Sequence, residues 1–335
     1  MFLDSRLAVL GLTALMLAGC TSRGLATPQP PLEELTVGLG YIPSVQFAQF
    51  YRAQQQGYYR DEALDVTFQN EIDPNLITLV GQGAVDIGLA DGTSVIPAVG
   101  QGIPIRFVGT IYAKFPNVVL TPADSGITDA AGLAGHSLGI PGRYGSSWIM
   151  LQALLASADL TVDDVEIHDY PDFGQAVGLR QGQVDAATGF RNNEPVQLAR
   201  QGFPTNVLSI DEITPLAGPG LIVGTETLRT RRDAVARFLW ATVLAMTEIA
   251  DEPSLGLEDA ISVVPELGSD REGQLAILEA TVQMWRIDYI EEGHGMPWVD
   301  RDAWARSLEF MRSLPDSNIP AELTVDELIT QEFSE

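Results

Sequence analysis

The sequence predicts an α/β protein built as two similar lobes that face each other across a cleft. An internal near-repeat is the first sign. Residues 79–93 read Leu79-Val-Gly-Gln-Gly-Ala-Val-Asp86-Ile-Gly-Leu-Ala-Asp91-Gly-Thr93. Residues 179–193 read Leu179-Arg-Gln-Gly-Gln-Val-Asp185-Ala-Ala-Thr-Gly-Phe-Arg-Asn-Asn193. With a one-residue gap, Leu79 aligns with Leu179, Gly83 with Gly182, Val85 with Val184 and Asp86 with Asp185. Each copy has the form of a helix end, a Gly-Xaa-Val-Asp turn, a short apolar strand and a polar loop. The second sign is the alternation of strand and helix patterns around each copy, which predicts a largely parallel sheet covered by helices.

The elements follow in order. Leu35 to Gly40 alternates as a first strand and ends in the loop Tyr41-Ile-Pro-Ser-Val45. Gln46 to Gly57 reads as a helix stopped by Gly57. Leu64 to Phe68 alternates as a strand, Asn75 to Gly83 is a helix and Asp86 to Ala90 a strand. Ser94 to Gly102 is a helix and Ile105 to Ile111 a strand. Tyr112 to Leu120 reads as a crossing to the second lobe.

That lobe begins with the strand Ser137 to Ile140, the loop Pro141 to Ser146 and a helix from Ser147 to about Ala158. Val165 to Tyr170 is a strand, Phe173 to Gly182 a helix and Val184 to Phe190 a strand. Glu194 to Gly202 is a helix and Thr205 to Ile210 a strand. Leu221 to Gly224 reads as the return to the first lobe. Helical spacing then predicts helices near 232–250, 257–265, 271–291, 301–313 and 324–333, with Trp240, Trp285, Trp298 and Trp304 as packing residues.

Composition narrows the class. A length of 335 residues suits two domains, and 45% hydrophobic residues supply real cores. A formal net charge of −26 excludes nucleic acid and a polybasic membrane contact as partners. The N-terminus reads as a targeting segment: Leu7 to Leu17 is apolar but too short to span a bilayer, and Leu17-Ala-Gly-Cys20 follows. That run resembles a bacterial lipobox, which implies a lipid on Cys20 after removal of residues 1–19. Cys20 is the chain's one cysteine, so an internal disulfide is excluded. Lipidation puts the mature protein on the outer face of the cell membrane, anchored without spanning it. Residues 20–34 form the tether, 35–114 with 221–335 the first lobe, and 115–220 the second.

No catalytic constellation emerges. His136, His168 and His294 have no metal-ligand spacing, so neither a catalytic residue nor a metal or cofactor is expected. There is no nucleophile elbow and no nucleotide-binding P-loop. The candidate residues are those of a binding cleft, in the loops beyond the carboxyl ends of strands. Tyr41 and Gln46 follow the first strand. Asp91 and Thr93 end the first repeat. Tyr144, Ser146 and Trp148 lie where a Gly-rich loop opens a helix whose free N–H groups suit a polar or anionic group. Asn192, Asn193 and Glu194 end the second repeat and offer donors and acceptors, beside their capping role with Pro195.

Three runs carry a family resemblance: Gly40-Tyr-Ile-Pro-Ser-Val45, Gly57-Tyr-Tyr-Arg-Asp-Glu-Ala-Leu-Asp-Val66 and Gln82-Gly-Ala-Val-Asp-Ile-Gly88. Over residues 35–290 the chain resembles the periplasmic substrate-binding components of ABC importers in the sulfonate, taurine and thiamine-precursor group (SsuA/TauA/ThiY-like). The Asn192-Asn193-Glu194-Pro195 loop looks most like the branch that binds aromatic heterocycles, thiamine pyrimidine precursors (ThiY-like) and riboflavin (RibY-like), and the Tyr41 to Phe47 run looks most like the RibY-like members. The resemblance implies a type II periplasmic-binding-protein fold with a hinge of two crossing segments. It implies a small-molecule ligand, an ABC permease with its ATPase subunit as partners, and no enzymatic step. Riboflavin is the expected ligand, with Tyr41, Tyr144 and Trp148 around the ring, Asn192, Asn193 and Glu194 on its polar edge, and Asp91 and Thr93 closing from the other lobe. A thiamine pyrimidine precursor, or an aliphatic sulfonate held near Arg143 and Arg191, are the alternatives. Related pyrimidine synthases use a cysteine-rich segment that this chain does not have.

Overall fold

The computed structural model describes residues 31–70, 75–210, 213, 216–285, 298–314 and 317–334. Cys20 with its lipobox, His294 and the end of the expected 271–291 helix therefore lie outside the described residues. Among the described residues no helix is long and apolar enough to cross a membrane.

The chain runs β1 (Glu33–Gly38), a 3-10 turn (Val45–Phe47), α1 (Ala48–Gln55), α2 (Tyr58–Asp61), β2 (Leu64–Gln69), α3 (Leu76–Gly81), β3 (Ile87–Ala90), α4 (Gly92–Gly100) and β4 (Ile105–Thr110). It continues through β5 (Asn117–Pro122), β6 (Ser137–Ile140), α5 (Gly145–Ala156), β7 (Glu166–Asp169), α6 (Gln175–Arg180), β8 (Ala186–Phe190), α7 (Glu194–Arg200) and β9 (Thr205–Ser209). After β10 (Gly220–Gly224) come α8 (Thr225–Asp251), α9 (Pro253–Val263) and α10 (Arg271–Val282). Two further helices, Arg301–Ser313 and Val325–Leu328, close the chain.

Two five-stranded sheets result, in the orders β2-β1-β3-β10-β4 and β7-β6-β8-β5-β9. The orders are the same, position by position. In both, the fourth strand is antiparallel to its neighbours and the others are parallel. The two repeat copies become α3–β3 and α6–β8, and β3 and β8 both hold the third position. This is the α/β architecture of two lobes that the sequence predicts.

The Gly-Xaa-Val-Asp motif has one structural job, done twice. Gly83 and Gly182 have φ of 73° and 67°, left-handed values that glycine adopts without Cβ strain at a helix end. Val85 and Val184 are buried. Asp86 Oδ2 accepts the Thr36 backbone N–H at 2.8 Å, while Asp86 N donates to Thr36 O at 3.0 Å. Asp185 Oδ2 accepts the Ser137 N–H at 2.9 Å and Asp185 N donates to Ser137 O at 3.1 Å. Each aspartate thus clamps the start of its strand to the parallel neighbour.

Several expectations are corrected. The crossing is shorter than Tyr112–Leu120, because Asn117–Pro122 forms β5 and inserts between β8 and β9. Its apolar run Val118-Val-Leu120 is fully buried there. The helix expected at 232–250 starts at Thr225 and bends at Arg231, where φ is −132°. The 324–333 helix is one turn, opened by a Thr324–Glu327 capping box. Trp240 does not pack: it is 60% exposed on α8, while Trp285 and Trp304 are buried.

The core of the first lobe joins α1, α8, α9 and α10 to the sheet through Phe50, Tyr51, Tyr59, Phe238 and Leu278. Tyr59 and Phe238 stack with ring centroids 5.0 Å apart and 3° between planes. The second lobe packs α5 on its sheet through Met150, Leu151, Leu154 and Leu155.

Candidate functional site

The strands aim the candidate loops. Carboxyl ends of β1, β3, β6, β7 and β8 release the segments that carry Tyr41, Asp91, Tyr144, Phe173 and Asn192. Contacts between these segments, and from them to α10, join the lobes.

Tyr41 meets Phe173 edge to face, with ring centroids 5.5 Å apart and planes at 76°. Phe173 has φ of 60°, a left-handed backbone uncommon for a bulky residue and a sign of local strain. Its N–H donates to Tyr170 O at 2.9 Å, and the following Gly174 N–H donates to Asp172 Oδ1 at 3.2 Å. The Tyr41 hydroxyl is pushed up to about 12 by burial and then by the charge of Glu194.

Asn192 is 1% exposed and donates twice through Nδ2, to Gln46 Oε1 at 2.9 Å and to Thr281 Oγ1 at 2.8 Å. This ties the loop after β8 to the turn before α1 and to α10. Gln46 is itself buried, and its Nε2 donates to Ser44 Oγ at 3.2 Å. Tyr112, in the crossing segment, has its hydroxyl beside the same Asn192 and Thr281; burial raises its pKa and those two neighbours lower it in part.

Asp91 caps α4. Its Oδ1 accepts from Thr93 N at 2.9 Å, Thr93 Oγ1 at 2.6 Å and Ser94 N at 3.1 Å. Burial pushes its carboxyl pKa up, against these bonds and one from Ser146 of the other lobe. Glu194 opens α7, and its Oε2 accepts the Phe190 N–H at 2.6 Å. Burial pushes its pKa up as well, against bonds from Phe190, its own N–H and Asn193. An acid, buried at Asp91 and half-buried at Glu194, therefore stands at the helix start that ends each repeat.

The remaining candidates are placed less centrally. Asn193 Oδ1 accepts from Gln197 Nε2 at 2.6 Å along α7. Tyr144 is 53% exposed. Its ring lies over Gly142, where a Cβ would come within 2.4 Å of Tyr144 Cε1. Trp148 packs against the second-lobe core, with the Arg143 guanidinium 5.7 Å from its ring centroid. Ser146 and Ser147 both face Asn117, whose Nδ2 lies 3.3 Å and 2.9 Å from their hydroxyl oxygens.

Sequence reasoning missed Asn117, Phe173, Gln175 and Thr281. Gln175, buried at the start of α6, donates through Nε2 to Thr188 O at 3.1 Å. Asn117 had a readable signal, a lone amide opening an apolar run. Phe173 had none, since its backbone conformation is set by the turn around it.

The family described as NMT1/THI5 like matches residues 44–255. The riboflavin-binding protein RibY of Chloroflexus aurantiacus is 29% identical over 98% of this chain and 97% of its own length. The 4-amino-5-hydroxymethyl-2-methylpyrimidine phosphate synthase of Aspergillus parasiticus is 28% identical over 66% of this chain and 68% of its own. Among solved structures, the periplasmic aliphatic sulphonate binding protein SsuA of Escherichia coli superposes with a TM-score of 0.64 at 16% identity, covering 90% of this chain and 93% of that one. That likeness shows the fold, and only the fold.

Proposed function

We propose, from the premise that this chain belongs to the NMT1/THI5-like family, that it is the solute-binding component of an ABC importer and captures a flat heterocycle, with riboflavin as the ligand. Cys20 carries the lipid that holds it on the outer face of the cell membrane, and closure of the lobes presents the loaded protein to the permease. The observation that carries this reading is the near-full-length similarity to a riboflavin-binding protein, set beside a cleft whose loops meet through an aromatic pair and a buried amide. No chemistry on the ligand is needed. Capture, closure and release draw on the hinge motion that two crossing segments allow.

Tyr41 and Phe173 supply aromatic surface from opposite lobes. Tyr144 and Trp148 extend it, and Asn192, Asn193, Glu194, Asp91, Thr93, Gln46 and Ser146 supply polar groups. The acids at Asp91 and Glu194 disfavour a sulfonate, because an anion brought beside them adds like charge in a poorly solvated site. An aminopyrimidine is the second reading, supported by the similarity to pyrimidine phosphate synthases and by an acid suited to an amino group.

Titration of the purified protein with riboflavin, followed by flavin fluorescence and by thermal shift, tests the reading. Quenching and a raised melting midpoint are expected. A shift with 4-amino-5-hydroxymethyl-2-methylpyrimidine and none with riboflavin would move the assignment to the pyrimidine. Glu194→Ala should weaken the heterocycle about tenfold or more, the loss expected for a charged hydrogen-bond partner.

A further inference from the structure

Three side-chain amides in the second lobe share one arrangement. Asn117, Gln175 and Asn192 are each at most 3% exposed. In each the NH2 end is committed: Asn117 to Ser146 and Ser147, Gln175 to Thr188 O, Asn192 to Gln46 and Thr281. In each the carbonyl oxygen is buried with no hydrogen-bond partner.

For two of them the neighbours dictate which end is which. Thr188 O is a backbone carbonyl and can only accept, so Gln175 must turn its nitrogen toward it. Thr281 Oγ1 gives its proton to Ile277 O at 2.8 Å and therefore accepts from Asn192. For Gln175 and Asn192 the orphan group is thus an acceptor by necessity, and a buried acceptor without a donor is an unfavourable state that something normally relieves.

Their positions point to what relieves it. Asn117 opens β5 opposite Phe190, the last residue of β8. Gln175 opens α6 against Gly139 of β6, where the two Cβ positions would be 3.0 Å apart. Asn192 is on the loop after β8. All three stand at the carboxyl ends of β6, β7 and β8, the rim on which the proposed ligand sits. The indole N–H of Trp285, whose backbone bridges to Tyr112, is likewise a buried group without a partner.

We propose that Asn117, Gln175 and Asn192 form an acceptor wall that selects ligands by their N–H and O–H groups, so that the site takes an uncharged ligand bearing such donors and rejects anions. This rests on the reading of the site as a heterocycle-binding cleft. It goes beyond that reading by stating which end of the amides faces the ligand and which ligand groups that end selects.

The experiment is isothermal titration of the purified protein with riboflavin, N3-methylriboflavin, ribityl-acetylated riboflavin, the aminopyrimidine and taurine. Each capped flavin should bind at least tenfold more weakly than riboflavin, and taurine should give no heat. In Gln175→Met the discrimination against the capped flavin most affected should shrink by about threefold or more, while affinity for that capped flavin stays within threefold. This separates a lost hydrogen bond from a methyl or acetyl clash. Asn192→Leu is the second variant, and its far-ultraviolet circular dichroism reports folding independently of binding. Riboflavin and both capped forms binding within threefold of one another, or taurine binding more tightly than riboflavin, overturns the acceptor wall alone. Silence of riboflavin and the aminopyrimidine together removes the functional reading and this inference with it.

Discussion

Asp86 and Asp185 hold equivalent places in the two lobes and do the same work, whereas Asp91 and the Asn192–Glu194 loop hold equivalent places and do not. Each of the first pair fastens the strand in the third place of its sheet to the strand in the second by the same bonds, within about 0.1 Å. The surroundings differ: Asp86 also pairs with Arg231 at 2.6 Å, while Asp185 meets His136 at 3.4 Å with its side chain 53% exposed. In the second pair, Asp91 turns back to cap its own helix, while Asn192 reaches into the other lobe. The shared part is scaffold and the divergent part is where the lobes meet.

The largest effect is expected from breaking the divergent part. Asn192→Ala strands the buried Gln46 and Thr281 groups and should cost roughly 2–4 kcal/mol in urea unfolding. A loss under about 1 kcal/mol would mean the amide is not a tie between lobes. The clamps come next. Asp86→Ala leaves Arg231 half-buried with Glu33 as its remaining acid, and about 2 kcal/mol is expected. Asp185→Ala, at an exposed site, should cost roughly 1 kcal/mol or less. Equal losses would show that the backbone bonds outweigh their ionic partners.

The two turn glycines sharpen the other side of the comparison. Gly83→Ala and Gly182→Ala should each cost roughly 1–2 kcal/mol, since both sit at left-handed φ and a Cβ at either meets nothing within 4 Å. The penalty is conformational and should be the same in both lobes.

The smallest effect is in pH dependence, and its sign differs between the repeat positions. Asp185 has its pKa lowered by bonds from Ser137, so its stabilisation is present above the unfolded carboxyl value near ~4 and is lost as pH falls through the folded value. Asp91 has its pKa raised by burial, so the folded state holds the proton more tightly. Its contribution is complete below ~4 and is lost as pH rises through the folded value. Asp91→Asn keeps an N-cap oxygen and should therefore melt at or above the parent at pH 7, with the gap closing toward pH ~4. A clearly lower midpoint at pH 7 would place the ionised carboxylate among the stabilising groups.

Much of the fold was legible because its signals are short. The Gly-Xaa-Val-Asp turn, the alternating strands and the glycine stops each depend on neighbours a few residues away. The loops of the cleft were legible for the same reason: each follows a strand that could be read. The pairing of those loops was not. Asn192 was expected on a ligand's edge, and the structure shows its donors already spent on residues 146 and 89 positions away. Trp240 fits a helical packing stripe by spacing, yet its face of α8 meets no core.

The sequence by itself determined the two-lobed α/β plan and the Gly-Xaa-Val-Asp turns, since local periodicity and turn chemistry are written in adjacent residues. Tertiary structure alone decided that β5 and β10 insert antiparallel into the fourth place of each sheet. It also decided that Phe173 meets Tyr41 and that three buried amides turn their oxygens away from their partners. Those outcomes depend on which distant surfaces exclude water together, and no window along the chain contains both surfaces.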